Sequence, residues 1–133
     1  MRIIPTKVHG YLDYAMGLLL IVAPWLFDFA RNGAETWVPV ILGVSAIVYS
    51  LLTDYELGVS PQLSMRTHLG IDLFSGILLA ASPWLFGFAD YVYLPHLVLG
   101  IAEIGASLMT ETKPKTGARR SARAGTGARA AHG

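Results

Sequence analysis

Residues 23–30 read APWLFDFA, and residues 82–89 read SPWLFGFA. Upstream of this segment, at the same displacement of 59 positions, five residues pair with identical ones: His9, Asp13, Gly17, Leu19 and Leu20 match His68, Asp72, Gly76, Leu78 and Leu79. Residues 9–30 contain 11 identities in 22 aligned positions, without a gap. Self-similarity at a fixed displacement is the signature of a repeat, so we interpret the chain as an internal duplication.

The composition is that of a membrane protein. Of the 133 residues, 53% are hydrophobic and 14% are charged, whereas about a quarter of residues are charged in soluble domains. Four segments are nearly free of charge: 14–27, 36–53, 73–89 and 91–110. A helix of roughly 20 residues crosses the hydrocarbon core, and the first segment reaches that length only if it includes Asp13. The alternative is a soluble four-helix bundle, but its helices should show a charged outer stripe that these lack.

We therefore predict an all-α fold, a four-transmembrane-helix bundle made of two tandem like-oriented helical hairpins. The predicted helices cover about residues 8–29, 37–52, 67–88 and 94–109, within a membrane domain at residues 1–112. Repeat 1 covers about 7–55 and repeat 2 about 66–112. The second and fourth helices align at a displacement of 57, which pairs Gly43 with Gly100 and Thr53 with Thr110.

Basic residues predict the orientation. Nine lie on the side that holds both termini and the central connection: Arg2, Lys7, Arg66, Lys113, Lys115, Arg119, Arg120, Arg123 and Arg129. The opposite side has only Arg31, so both termini are expected in the cytoplasm. Residues 113–133, rich in Arg, Gly and Ala, are predicted to form a disordered basic tail. This tail is expected either to contact anionic lipid or to stay solvated and unbound, and not to bind nucleic acid.

Aromatic residues fit the same frame. Five map to the outer membrane boundary, Trp25, Trp37, Trp84, Tyr91 and Tyr93, and three to the inner one, Tyr11, Tyr49 and Tyr55. Pro24 and Pro83 should kink or end their helices early. The tryptophan after each proline is then expected to anchor that helix end at the interface.

A duplicated hairpin with Ser-Pro-Trp near the end of its first helix resembles the SPW-repeat family of small bacterial integral membrane proteins. The resemblance covers about residues 7–112. Ser82, Pro83 and Trp84 match the motif fully, whereas the first copy has Ala23 in place of serine. The resemblance implies a multi-pass protein of the bacterial inner membrane, with no established activity or cofactor.

Polar residues inside the spans form stripes. The first and third helices carry His-x-x-x-Asp-x-x-x-Gly, whose spacing of four places all three residues on one face. The fourth helix has a comparable stripe of His96, Gly100, Glu103 and Ser107, and the second has Pro39, Gly43, Ala46 and Ser50. Ionisable groups in hydrocarbon cost a few kcal/mol each, so they are expected to face the bundle interior and find partners.

Two interpretations of these residues stay open. His9, Asp13, His68, Asp72 and Glu103 either pin helix to helix, or converge in the cytoplasmic half to form a proton-relay or metal site. Glu103 is expected to pair with His68, His9 or Ser107. His96, beside Pro95, is expected to be interfacial.

No catalytic residue, metal site or cofactor is assigned from the sequence. The absence of cysteine excludes thiolate catalysis and cysteine-based metal sites, and no phosphate-binding or hydrolase motif appears. The prediction is a structural or partner-binding membrane component. Its partners are the lipid bilayer and either a second copy or another membrane protein. The alternative is a proton- or cation-handling transporter subunit.

Overall fold

A computed structural model describes residues 2–114, which form four α-helices and no strand. The helices are α1 (Thr6–Leu26), α2 (Ala34–Leu51), α3 (Met65–Leu85) and α4 (Leu94–Met109). The bounds predicted for α4 are confirmed. The other three helices begin two or three residues earlier than predicted, and α1 and α3 end three residues earlier. Residues 115–133 of the predicted basic tail lie outside the described part of the chain.

The starts of α1 and α3 are set by two residues that are 59 positions apart and share an extended backbone. Pro5 precedes α1 with ψ 148°, and Ser64 precedes α3 with ψ 156°. The Ser64 hydroxyl also accepts a hydrogen bond from the Thr67 amide at 3.1 Å, which caps the first turn of α3. The first helix thus uses proline rigidity where the third uses a side-chain cap.

The ends of α1 and α3 are Schellman turns. The Phe29 amide donates to the Pro24 carbonyl at 2.8 Å, and the Phe88 amide donates to the Pro83 carbonyl at the same distance. Between donor and acceptor, the backbone takes a positive φ of 57° at Asp28 and 76° at Gly87. This left-handed residue stops each helix two residues after its proline, so the predicted early helix end is confirmed.

Ser82 has a local role in the motif. Because proline lacks an N–H, the carbonyl four residues before Pro83, that of Leu79, loses its helical partner. The Ser82 hydroxyl donates to this Leu79 carbonyl at 2.7 Å. Ala23 occupies the equivalent position in the first hairpin and offers no such donor to the Leu20 carbonyl.

Glycines set the helix crossings within each hairpin. A Cβ atom at Gly43 would lie 2.6 Å from the Gly17 carbonyl oxygen, and one at Gly100 would lie 2.7 Å from the Gly76 carbonyl oxygen. No side chain fits at such distances, so α1 meets α2, and α3 meets α4, through backbone contact.

Short backbone bridges join the hairpins at the end of the bundle that carries the predicted cytoplasmic residues. Ile4 pairs with Thr110, and Thr53 pairs with Leu63. The Glu111 amide donates to the Ile4 carbonyl at 2.9 Å, and the Asp54 amide donates to the Leu63 carbonyl at 2.7 Å. Residue 4 corresponds to residue 63 at a displacement of 59, and residue 53 corresponds to residue 110 at a displacement of 57. The two bridges therefore join equivalent positions of the two repeats.

The helices carry their charge inside and their large apolar side chains outside. The buried residues of α4 are the four of the predicted stripe. Outward-facing apolar residues include Leu18, Phe74 and Ile101, which are 56–68% exposed. Among the helical Asp, Glu, His, Lys and Arg residues, only Lys7 and Arg66, in first turns, are exposed. Two helices, α2 and α3, are long and apolar enough to cross a membrane, and α4 is shorter and apolar.

Candidate functional site: a buried two-histidine, two-aspartate cluster

The structure brings the two predicted His–Asp pairs together into one group, which we call the His–Asp cluster: His9 and Asp13 of α1 with His68 and Asp72 of α3. All four residues are buried, and His68 is 0% exposed. One nitrogen or oxygen atom from each residue lies within 4.8 Å of the others. The two pairs therefore face the interior of the bundle, as a proton relay or a metal site would require.

The closest contacts in the cluster cross from one hairpin to the other. Nε2 of His9 lies 2.7 Å from Oδ2 of Asp72 and 2.9 Å from Oδ1 of Asp13. Nε2 of His68 lies 2.9 Å from Oδ2 of Asp13 and 3.2 Å from Oδ2 of Asp72. Each histidine therefore contacts the aspartate of its own helix but lies nearer to that of the other hairpin.

Two threonines hold the other ring nitrogen of each histidine. Nδ1 of His9 lies 2.7 Å from Oγ1 of Thr110, and Nδ1 of His68 lies 2.7 Å from Oγ1 of Thr53. Thr110 directly follows α4, and Thr53 lies two residues beyond α2. Each threonine therefore belongs to the hairpin that does not contain the histidine it contacts. These are the residues that pair at a displacement of 57, so the sequence marked their equivalence but not their role.

The threonines also assign the histidine tautomers. Each hydroxyl has one hydrogen, and it is donated to the backbone carbonyl four residues earlier, at 2.6 Å for both Thr53 and Thr110. The hydroxyl oxygen can then only accept from the histidine, so Nδ1 carries a proton in both rings. The other nitrogen of each ring, Nε2, consequently faces the carboxylates.

The two Nε2 atoms are not equivalent. Nε2 of His9 is hydrogen-bonded to Oδ2 of Asp72, so one proton lies between them. Nε2 of His68 is buried and makes no directed hydrogen bond within residues 2–114, although it lies 2.9 Å from Oδ2 of Asp13 and 3.2 Å from Oδ2 of Asp72. The cluster therefore contains a buried nitrogen that contacts two carboxylates without a directed hydrogen bond to either.

Two tyrosines from the first half of the chain complete the cluster. Tyr49 donates its hydroxyl hydrogen to Oδ1 of Asp72, and Tyr55 donates to Oδ2 of Asp13 at 3.0 Å. Both residues were expected at the membrane interface, but they are 8% and 4% exposed. The prediction was wrong because a tyrosine near a helix end serves equally well as an interfacial ring or as a buried donor.

The connection between the hairpins covers the cluster. Tyr55 packs with Met65, Leu69 and Leu57, and the Tyr14 hydroxyl donates to the Leu57 carbonyl at 2.8 Å. Burial, reinforced by the neighbouring Asp13, raises the pKa of the Tyr55 phenol, which therefore stays protonated as a donor.

A cavity of about 320 Å³ lies beside the cluster and is lined by His9, Asp13, Asp72 and Glu103. Oε2 of Glu103 is buried and has no hydrogen-bond partner within residues 2–114, so the pairing predicted for it is not observed. Ala106 also lines the cavity, at the position equivalent to Tyr49. The second hairpin thus has a small residue where the first has a ring.

The opposite end of the bundle holds the Pro-Trp segments. Trp25 and Trp84 are 61% and 57% exposed, whereas both prolines and Ser82 are buried. His96 was expected to be interfacial but is 1% exposed. Its ring lies between Phe29 and Phe88, and its Nε2 contacts the Glu35 carbonyl at 2.8 Å. It therefore joins the hairpins at the end away from the cluster.

Comparison with known proteins identifies one family. No curated protein and no solved structure matches the chain. The SPW repeat domain matches residues 7–110, which contain all four helices except the first residue of α1 and every member of the His–Asp cluster. The chain belongs to the SPW repeat family, and together with its apolar helices this suggests a membrane protein.

Proposed function

We propose that the protein is a four-span component of the bacterial inner membrane, with both termini in the cytoplasm, and that its role is structural or partner-binding. The observation that carries this proposal is the inverted distribution of charge. The helices bury His, Asp and Glu and present Leu, Phe and Ile to their surroundings. In water such a surface would expose large contiguous apolar patches, whereas in lipid it is the expected exterior.

In this proposal, the His–Asp cluster fastens one hairpin to the other. The contacts within each hairpin are glycine-mediated and apolar, whereas the cluster contacts are polar and nearest across the hairpin boundary. A buried ionisable group in lipid needs its partner, so each hairpin stabilises the other by providing it.

The like orientation of the hairpins is supported by their equivalent contacts. Each has a glycine crossing, a Schellman turn after Pro-Trp, and a threonine bonded to the histidine of the other hairpin. Two halves related by duplication and by rotation about the membrane normal account for this equivalence. An inverted repeat would place the two histidines at opposite membrane faces.

Site-directed labelling tests the topology, and the absence of native cysteine makes single substitutions clean. Asn32→Cys and Asp90→Cys should react with an impermeant maleimide added to intact spheroplasts. Ser60→Cys should react only after permeabilisation, and Ile77→Cys, in mid-helix, should not react. Labelling of Ser60→Cys from outside, or release of the wild-type protein from membranes by alkaline carbonate, would sink the proposal.

The second candidate function is proton or cation handling, and the cavity beside the cluster favours it. Glu103 supplies a buried oxygen without a partner at the edge of a space that reaches His9 and both aspartates. The test is pH-dependent flux in vesicles reconstituted with the purified protein. Flux should be lost in Asp13→Asn and Asp72→Asn and kept in Thr67→Val, an exposed control. No flux under any imposed gradient would remove this candidate.

A further inference from the structure

We propose that the His–Asp cluster is a binding site for one divalent transition-metal ion of the zinc type, with His9, His68, Asp13 and Asp72 as ligands. The proposal does not depend on the membrane topology or on flux, because it concerns only the four side chains and their immediate partners.

Nε2 of His68 is placed to bind an ion at the centre of the cluster. Nε2 of His68 is fully buried, faces two carboxylates and has no hydrogen-bond partner among the described residues. Its Nδ1 proton is held by Thr53, which leaves Nε2 to face the centre of the cluster. A metal-binding imidazole characteristically has its other ring nitrogen fixed by such a hydrogen bond.

The carboxylates, like the imidazoles, are oriented by hydrogen bonds from outside the cluster. The hydroxyls of Tyr49 and Tyr55 each donate to one aspartate. Oxygen and imidazole donors in equal number suit zinc in tetrahedral coordination, with ligand bonds of about 2.0–2.2 Å. Ligand atoms in that geometry are about 3.4 Å apart, by the same bond lengths. The four nitrogen–oxygen distances of 2.7–3.2 Å are about 0.2–0.7 Å shorter than this, and all pairs of ligand atoms lie within 4.8 Å of one another, so small rotations of the side chains bring them to that spacing.

The charge of a divalent ion is matched by the charges of the two aspartates. Two ionised aspartates and one divalent ion sum to zero, which suits a site surrounded by apolar helices. The proton shared by His9 and Asp72 must leave when the ion binds, because both atoms become ligands. The cavity lined by His9, Asp13 and Asp72 gives the ion a route to these atoms.

Cobalt titration of the purified full-length protein in detergent tests the proposal. His132, the histidine outside the described residues, is replaced by glutamine in every sample to remove an adventitious ligand. After treatment with chelator, we expect one Co²⁺ per chain with the intense visible bands of four-coordinate cobalt, competed stoichiometrically by Zn²⁺. Binding should release at least one proton per ion into weakly buffered solution.

The matched variants are His68→Gln and His96→Gln, since both remove a fully buried histidine that joins the hairpins. His68→Gln should weaken Co²⁺ binding by about 100-fold or more, whereas His96→Gln should bind as the parent does. The proposal is overturned if the parent binds no Co²⁺ or Zn²⁺ at millimolar concentration, if the bands are those of six-coordinate cobalt, or if His68→Gln binds normally. Such a failure leaves the proposed membrane role untouched, since labelling tests that separately.

Discussion

Nδ1 of His9 lies 2.7 Å from the hydroxyl oxygen of Thr110, 101 residues further along the chain. The same distance separates Nδ1 of His68 from Oγ1 of Thr53. Each threonine hydroxyl donates its own hydrogen to a backbone carbonyl near the end of the preceding helix. A histidine of one hairpin is thereby tied to the helix end of the other, and the connection is made twice.

Thr53→Val and Thr110→Val should each destabilise the protein by about 1–3 kcal/mol, because valine keeps the shape and leaves a buried Nδ1–H without an acceptor. The measurement is unfolding of the detergent-solubilised protein by heat or denaturant. The exposed Thr67→Val serves as control: it loses only the solvent-exposed hydrogen bond that its hydroxyl accepts from the Ser64 hydroxyl, keeps the capping bond of its amide, and should change stability by less than about 0.5 kcal/mol. Equal stability of Thr110→Val and the wild type would contradict the assigned hydrogen bond.

Ser82→Ala should destabilise the protein by about 1 kcal/mol, because the Leu79 carbonyl loses the hydroxyl donor that replaces the missing proline N–H. The reciprocal change, Ala23→Ser, should stabilise it by a similar amount by supplying the Leu20 carbonyl. Both are read from the same unfolding curves. If the two changes had the same sign, serine would not be acting as the substitute donor.

Gly100→Ala should destabilise the protein by about 2 kcal/mol or more through overpacking, because the new Cβ would lie 2.5 Å from the Ala80 amide nitrogen and 2.7 Å from the Gly76 carbonyl oxygen. Gly105→Ala is the matched control in the same helix, since nothing lies within 4 Å of its Cβ. That variant should be neutral or should gain up to about 1 kcal/mol from helix propensity. A destabilising Gly105→Ala would indicate that this face is covered by another helix or chain.

Asp28→Gly should stabilise the end of α1 by about 0.5–1 kcal/mol, because glycine takes a positive φ without steric cost. Gly87→Ala should destabilise the end of α3 by about 1 kcal/mol for the converse reason. Midpoints of thermal unfolding for the two variants should shift in opposite directions. Shifts in the same direction would show that the Asp28 side chain, rather than the backbone conformation, decides the turn.

The positions that the sequence predicted well are those with helical periodicity. The stripe from His96 to Ser107 is the buried face of α4. The histidine and aspartate of α1 and those of α3 come together to form the His–Asp cluster. A spacing of three or four residues fixes a helix face whatever the neighbours are. Helix ends were predicted less well, since Asp28 and Gly87 stop the helices through a backbone conformation that hydropathy does not report.

The residues missed at the site are the donors from outside the stripes. Thr53 and Thr110 were visible as a matched pair, but their contact with the opposite histidine depends on how the hairpins dock. Tyr49 and Tyr55 have no tyrosine counterpart in the second half, where Ala106 and Thr112 stand. Comparison of the repeats could not single them out, and only the docked structure shows what they contact.

The paired backbone bridges have a consequence for connectivity. Residue 111 lies against residue 4 in the way that residue 54 lies against residue 63. The linkage between the hairpins can therefore be exchanged. A circular permutant that opens the chain at residues 59–61 and joins residue 111 to residue 2 through a linker as long as residues 55–60, which connect the equivalent positions 54 and 61, should keep all four helices and every member of the His–Asp cluster. The formation of the His–Asp cluster therefore does not depend on which hairpin comes first along the polypeptide.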